Sequence, residues 1–202
     1  MKFKLAISLL MLSLAMPVVY ADALEEGVIA LESFEFKRAL KKLRPLAEQG
    51  NMVAQTKLGY MYLRGLGVEQ DAADAIEWFK KAAEKGDAEA AYSLGDIYGN
   101  TRIGGNLVNH EKAVKWYRRA AERGYTNAQY KLAARYFDGG EGLPRDRIAA
   151  YAWMHVAARQ GHHDAAEKVD LMEMILNEEE LLKARTLADE LATKHSPEEL
   201  QY

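Results

Sequence analysis

The five histidines are the side chains best suited to metal or acid–base chemistry here, and their spacing argues against both. His162 and His163 are adjacent, so on a helix they point about 100° apart and cannot easily share an ion. His155 lies seven residues before His162, across a break at Gly161, and no HExxH occurs. They read as ordinary surface histidines, with no metal ligand and no cofactor assigned. There is no cysteine, which removes thiolate nucleophiles and thiolate-held zinc. Serine acylation of the Ser-x-x-Lys type needs a lysine three residues on, and none follows Ser33, Ser93 or Ser196 at that distance. A triad is assembled in space, so spacing alone does not decide it; these serines have helix, turn or cap readings. The glycine-rich stretch Gly99–Asn106 lacks the Lys-Ser/Thr ending of a phosphate loop and reads as a lengthened inter-helix loop. Glu178, Glu179 and Glu180 read as helix N-terminal charge, and calcium would need more oxygen ligands in a loop. No catalytic residue is assigned, and the expectation is that the chain is not an enzyme.

The elements that position these residues repeat. Segments 51–86, 87–124 and 125–161 are variants of one unit of 36 to 38 residues. A repeat of this size cannot bury its apolar face alone, so neighbours must stack. Each is predicted to be two helices. Ala54, Leu58, Met61 and Tyr62 give the first helix of 51–86 an apolar face, and Ala75, Trp78, Phe79, Ala82 and Ala83 do the same for the second, with Asp71 as its N-cap. Gly50, Gly86, Gly124 and Gly161 end successive second helices. Trp78, Trp116 and Trp153 lie eight residues before such a glycine, which predicts Trp116 as a central core residue. Gly59 and Gly95 fall inside helices, where Gly costs about 1 kcal/mol against Ala, so a close helix contact is expected there. Ala133 supplies the same smallness in the next copy. Residues 22–50 form a divergent helix pair in which Pro45 predicts a kink or a poorly formed helix. Residues 162–202 read as capping helices and a tail, with a capping-box start at Asn177 and Glu180.

The stretch LGYMYLRGLGVEQDAADAIEWFKKAAEKGDAEA resembles the Sel1-like repeat, a relative of the tetratricopeptide repeat. The resemblance implies an all-α, right-handed solenoid of helix pairs whose first helices line a concave face. A second stripe on those helices then faces the groove: Thr56, Tyr60 and Leu63; Tyr92, Asp96 and Gly99; Tyr130, Ala134 and Phe137. Exposed aromatics mark interfaces, which makes Thr56, Tyr60, Leu63, Tyr92, Asp96, Tyr130 and Phe137 the expected partner-binding residues. The competing reading is that some of them pack between repeats. β-Lactam-directed members of the family are Cys-rich, unlike this chain.

Residues 1–21 read as a secretory signal peptide: Lys2 and Lys4, the short apolar core Leu5–Leu14, and small residues before a cut after Ala21. The remaining chain would carry no lasting membrane anchor, and no second long apolar run follows. The formal charge of −3 is unevenly spread. Residues 22–161 hold 21 Lys/Arg against 19 Asp/Glu, and residues 162–202 hold 4 against 11, so no basic footprint for nucleic acid exists. The expected function is a non-enzymatic module of the bacterial periplasm that binds a peptide or protein partner. A periplasmic immunity protein against a secreted toxin and a cell-wall- or β-lactam-directed enzyme are the alternatives.

Overall fold

The computed structural model describes residues 22–140 and 143–194. The expected signal peptide and the tail 195–202 lie outside the described residues. The fold is an all-α solenoid of helix pairs. The chain divides into two compact units between Lys85 and Gly86.

The first unit holds α1 (residues 22–32), α2 (Phe36–Glu48), α3 (Met52–Arg64) and α4 (Ala72–Glu84). Its core is Ala39, Leu43, Ala54, Leu58 and Met61, all inaccessible to solvent. Pro45 does not interrupt α2, which runs continuously through it. The proline is exposed, and the carbonyl it leaves without an intrahelical donor is that of Lys41, also exposed, where water can reach it.

The second unit holds α5 (Ala88–Gly99), α6 (Thr101–Gly104), a 3-10 turn (Gly105–Leu107), α7 (His110–Ala121), α8 (Thr126–Asp138), α9 (Arg147–Arg159), α10 (His163–Glu173) and α11 (Glu178–Lys194). The glycine-rich stretch is therefore a lengthened connection, partly wound into α6 and the turn. Helix α11 packs on α9, with Ala188, Leu187 and Leu191 against Ala152 and Val156. Its start is a reciprocal capping box. Glu180 N–H donates to Asn177 Oδ1 at 2.9 Å, and Asn177 N–H donates to Glu180 Oε2 at 3.1 Å.

Local chemistry explains where the helices begin and end. Asp71 caps α4 through bonds from the N–H groups of Ala73 and Asp74, while Asn51, Asp87, Asn109 and Asp146 cap α3, α5, α7 and α9. The glycines that close second helices all have positive φ, from 78° to 105°. At Gly124 the chain turns back so that Gly124 N–H reaches Ala121 O at 3.0 Å and Tyr125 N–H reaches Ala120 O at 3.1 Å. Gly50 and Gly161 repeat that double bond.

The intrahelical glycines are where helices touch. A Cβ on Gly59 would stand 2.9 Å from the Phe79 ring, and one on Gly95 would stand 2.5 Å from the Tyr117 ring. This contact corrects the tryptophan register. The rings facing the glycines sit seven residues before the closing glycine, at Phe79 and Tyr117, both buried. Trp78 and Trp116, one position earlier and about 100° around the helix, are only half-buried. Lys81 Nζ lies 4.1 Å from the Trp78 ring centre and the Arg119 guanidinium 5.5 Å from that of Trp116. Trp153, in the last copy, is buried.

Gly95→Ala is expected to destabilise the protein by about 1–3 kcal/mol, as overpacking does, although helix propensity alone favours Ala by about 1 kcal/mol. Adding Tyr117→Met, which copies the Ala133 and Met154 pair of the third repeat, should recover part of that loss. Urea denaturation midpoints of the two variants check both signs. A chain ending at Gly161 lacks the cover that α11 gives Ala152 and Val156 and should aggregate, whereas one ending at Lys194 should match the full chain in solubility and melting temperature.

Candidate functional site

The expected stripe separates into three environments. Thr56 is buried, with 2% of its surface exposed, and its hydroxyl donates to Met52 O at 3.2 Å. Its side chain therefore cannot contact a partner, because its register position turns into the core of α3. Tyr60 is 40% exposed under the Arg64 guanidinium, and Leu63 is half-buried.

Tyr92 and Asp96 belong to a tyrosine cluster. Tyr117 donates its hydroxyl to Asp96 Oδ1 at 2.7 Å, and the Tyr92 hydroxyl engages the same carboxylate. The Tyr92 ring lies 5.0 Å from that of Tyr125 and 6.0 Å from that of Tyr117. Burial, then the Asp96 charge, push the Tyr92 and Tyr117 hydroxyls well above the ordinary tyrosine range. The cluster fastens α5 to α7, and the structure gives Asp96 a packing role.

Tyr130 and Phe137 line a cleft of about 320 Å³. Ala134 and Asp138 complete its α8 wall, and Met154 of α9 lies within it. Lys168, Leu171 and Met172 of α10, with Ile175 just beyond, form the opposite wall. The Tyr130 ring stacks on His162 at 4.4 Å, so one wall is held against rotation. Leu171 is 54% exposed and Ile175 51% exposed, unusual for large apolar side chains. Two walls of exposed apolar side chains above a methionine make a surface suited to an apolar anchor.

Among the described residues no group of three or more His, Asp or Glu side chains is placed to hold a metal ion. His162 caps α10 through Nδ1, His155 stacks on Tyr151, and His163 lies near Glu167 on the exposed side of α10. Burial holds His155 below its usual range. Ser93 bonds back to Glu89 O inside α5. Glu173 accepts from Tyr151 at 2.7 Å and from Arg185 at 2.9 Å, which ties α9, α10 and α11 together.

The Sel1 repeat model matches residues 53–87, 88–125 and 126–162, more than half of the chain. The chain belongs to the Sel1 repeat family. It is similar to the ERAD-associated E3 ubiquitin-protein ligase component HRD3A of Arabidopsis thaliana, 42% identical over 53 residues, or 26% of this chain and 8% of that protein. Two crystal structures align at TM-score 0.68 and 34% identity. One is c5321, a protective antigen present in uropathogenic Escherichia coli strains with an SLR fold, covering 80% of this chain and 34% of that one. The other is a Sel1 repeat protein from Oxalobacter formigenes, covering 73% of this chain and 60% of that one. In each comparison the chain spans less than two thirds of its relative. Sel1 repeat proteins are in general protein–protein interaction modules on a non-enzymatic scaffold.

The Sel1 register also explains what sequence reasoning missed. Leu171 stands six residues after Ala165, the offset of Tyr60, Asp96 and Ala134 in the repeats. That offset is a usable signal, hidden in the sequence because 162–202 reads as a cap rather than as a further repeat.

The raised tyrosines give a pH prediction. Their stabilising effect is complete below the unfolded pKa of about 10 and is lost as pH rises above it, because the unfolded chain ionises first. Wild-type stability should fall steeply above about pH 10, and Tyr117→Phe should lose less over that window. Chemical denaturation at pH 8 and at about pH 11 checks the difference.

Proposed function

We propose that this chain is a non-enzymatic adaptor, exported to the bacterial periplasm, that holds a peptide or protein partner on the first-helix face of its second unit. The observation that carries the reading is the cleft in which Tyr130 and Phe137 face Leu171 and Ile175. Membership of the Sel1 repeat family supports the class of function. The pattern of residues 1–21 supports export, with a mature start at Asp22. Phe137 and Leu171 are the anchors of the site. Both are exposed enough that removing them costs little stability, and both belong to the kind of apolar, semi-enclosed surface where binding energy concentrates.

A photo-crosslinker placed at Phe137 or Leu171 in the native cell should trap a discrete partner, while one at Lys183 on α11 should not. Phe137→Ala combined with Leu171→Ala should weaken binding of that partner by at least about 2 kcal/mol with helicity unchanged by circular dichroism. Equal crosslinking at all three positions would exclude the cleft as the binding surface. Sequencing the N-terminus of exported protein should return Asp22, and a retained Met1 would exclude the proposed export route.

A further inference from the structure

The cleft carries two charges of opposite sign, and they do not pair. Asp138 stands on the α8 wall and Lys168 on the α10 wall. Neither side chain has a hydrogen bond or ion pair among the described residues.

The position of Asp138 sharpens the point. It is the last residue of α8, where the helix dipole presents partial negative charge and disfavours a carboxylate. A cation brought beside Asp138 would meet the carboxylate and the last carbonyls of the helix together. Lys168 lies one turn before Leu171 on α10, with Ile175 just beyond the helix, so an anion there would sit beside the apolar wall. The rest of the lining is apolar apart from the Tyr130 hydroxyl.

We propose that the cleft takes a peptide segment with a bulky apolar anchor flanked by charges of opposite sign, the cation toward Asp138 and the anion toward Lys168. The inference rests on the adaptor reading and adds the chemistry of the partner. The apolar anchor supplies most of the affinity, and the two charges set the direction in which the segment lies. A uniformly basic or uniformly acidic segment would place one like charge against the cleft and bind less well.

Fluorescence anisotropy with short labelled peptides tests this. The probes share a Leu-Phe anchor and carry Arg before and Glu after it, the reverse order, or Ser on both sides. One charged order should bind at least about threefold more tightly than the Ser peptide, as expected for two partly exposed pairs. The exchange Asp138→Lys with Lys168→Glu should invert the preference between the two charged orders. An unchanged order after the exchange, or equal affinity for the Ser peptide, overturns the inference. In that case loss of all binding in Leu171→Asp still leaves the cleft as the partner site. Undiminished binding in Leu171→Asp, or no binding of any peptide up to about 1 mM, overturns both readings. Sedimentation showing a dimer that Leu171→Asp dissociates would assign the cleft to a second copy of the chain and overturn the inference as well.

Discussion

A single backbone hydrogen bond sets the geometry of every repeat. The N-cap residue of the second helix donates its N–H to the carbonyl of the tyrosine near the end of the first. Asp71 reaches Tyr62 O at 3.0 Å, Asn109 reaches Tyr98 O at 2.8 Å, and Asp146 reaches Tyr136 O at 2.8 Å. The same residue then spends its side chain on the first turn of the second helix. The chain between the two bonded residues differs in length from copy to copy, yet the bond is constant. Length variation is therefore confined to the loop, and the helix pair is left in one register. The tyrosine ring adds a second hold: Arg44 donates to the Tyr62 hydroxyl at 3.0 Å and Arg118 to that of Tyr136 at 3.1 Å, each from the second helix before.

With each pair fixed, the junction to the next is set by the closing glycine and a buried amide. Gln55 donates from Nε2 to Ala47 O at 3.0 Å, and Gln129 donates to Ala121 O at 3.4 Å. Both carbonyls sit three residues before the closing glycine, whose N–H they also accept, so the amide takes the second lone pair of each. The arrangement is not optimal for stability, because no donor among the described residues reaches either Oε1, and a buried acceptor without a partner costs about 1–3 kcal/mol. Its value lies in direction, since only one orientation of the first helix lets the amide reach. The repeat 87–124 has Ala91 at this position, so the device is not a requirement of the repeat itself.

Much of this was legible from spacing. The closing glycines, Asp71 and the capping box at Asn177 all follow from local chemistry that acts within one or two turns. The errors share a different cause. Trp116 and Tyr117 are both aromatic and adjacent, so periodicity identifies the apolar face without saying which ring points at Gly95; a contact between helices decides that. Pro45 predicts a kink or a poorly formed helix, yet α2 is formed on both sides of it, because the proline and the Lys41 carbonyl it leaves free lie on the exposed side. Asp96 falls on the groove stripe by offset, and only the folded pair shows that it also accepts from Tyr117 and engages Tyr92. Gln55 and Gln129 gave no signal, because a glutamine on a helix is ordinarily solvent-facing.

The placement of the cleft follows from the same constraints. Within the array, residues on the first helix that face a neighbour must be small, ring-bearing or hydrogen-bonded, as Gly95, Tyr92 and Asp96 are. Helix α10 keeps the inward face of a first helix, with Ala165, Val169 and Met172 buried, but no glycine loop follows it and α11 docks on α9 instead. The outer row of α10 is thereby released from the repeat's packing rules, and it carries Leu171 exposed beside Lys168, with Ile175 exposed just beyond the helix. Burial cannot account for those apolar side chains, and replacing them with polar residues would leave the inward face of α10 intact. Leu171 and Ile175 stay exposed because α10 meets its neighbours through the opposite face, and the proposed cleft uses what that packing leaves open.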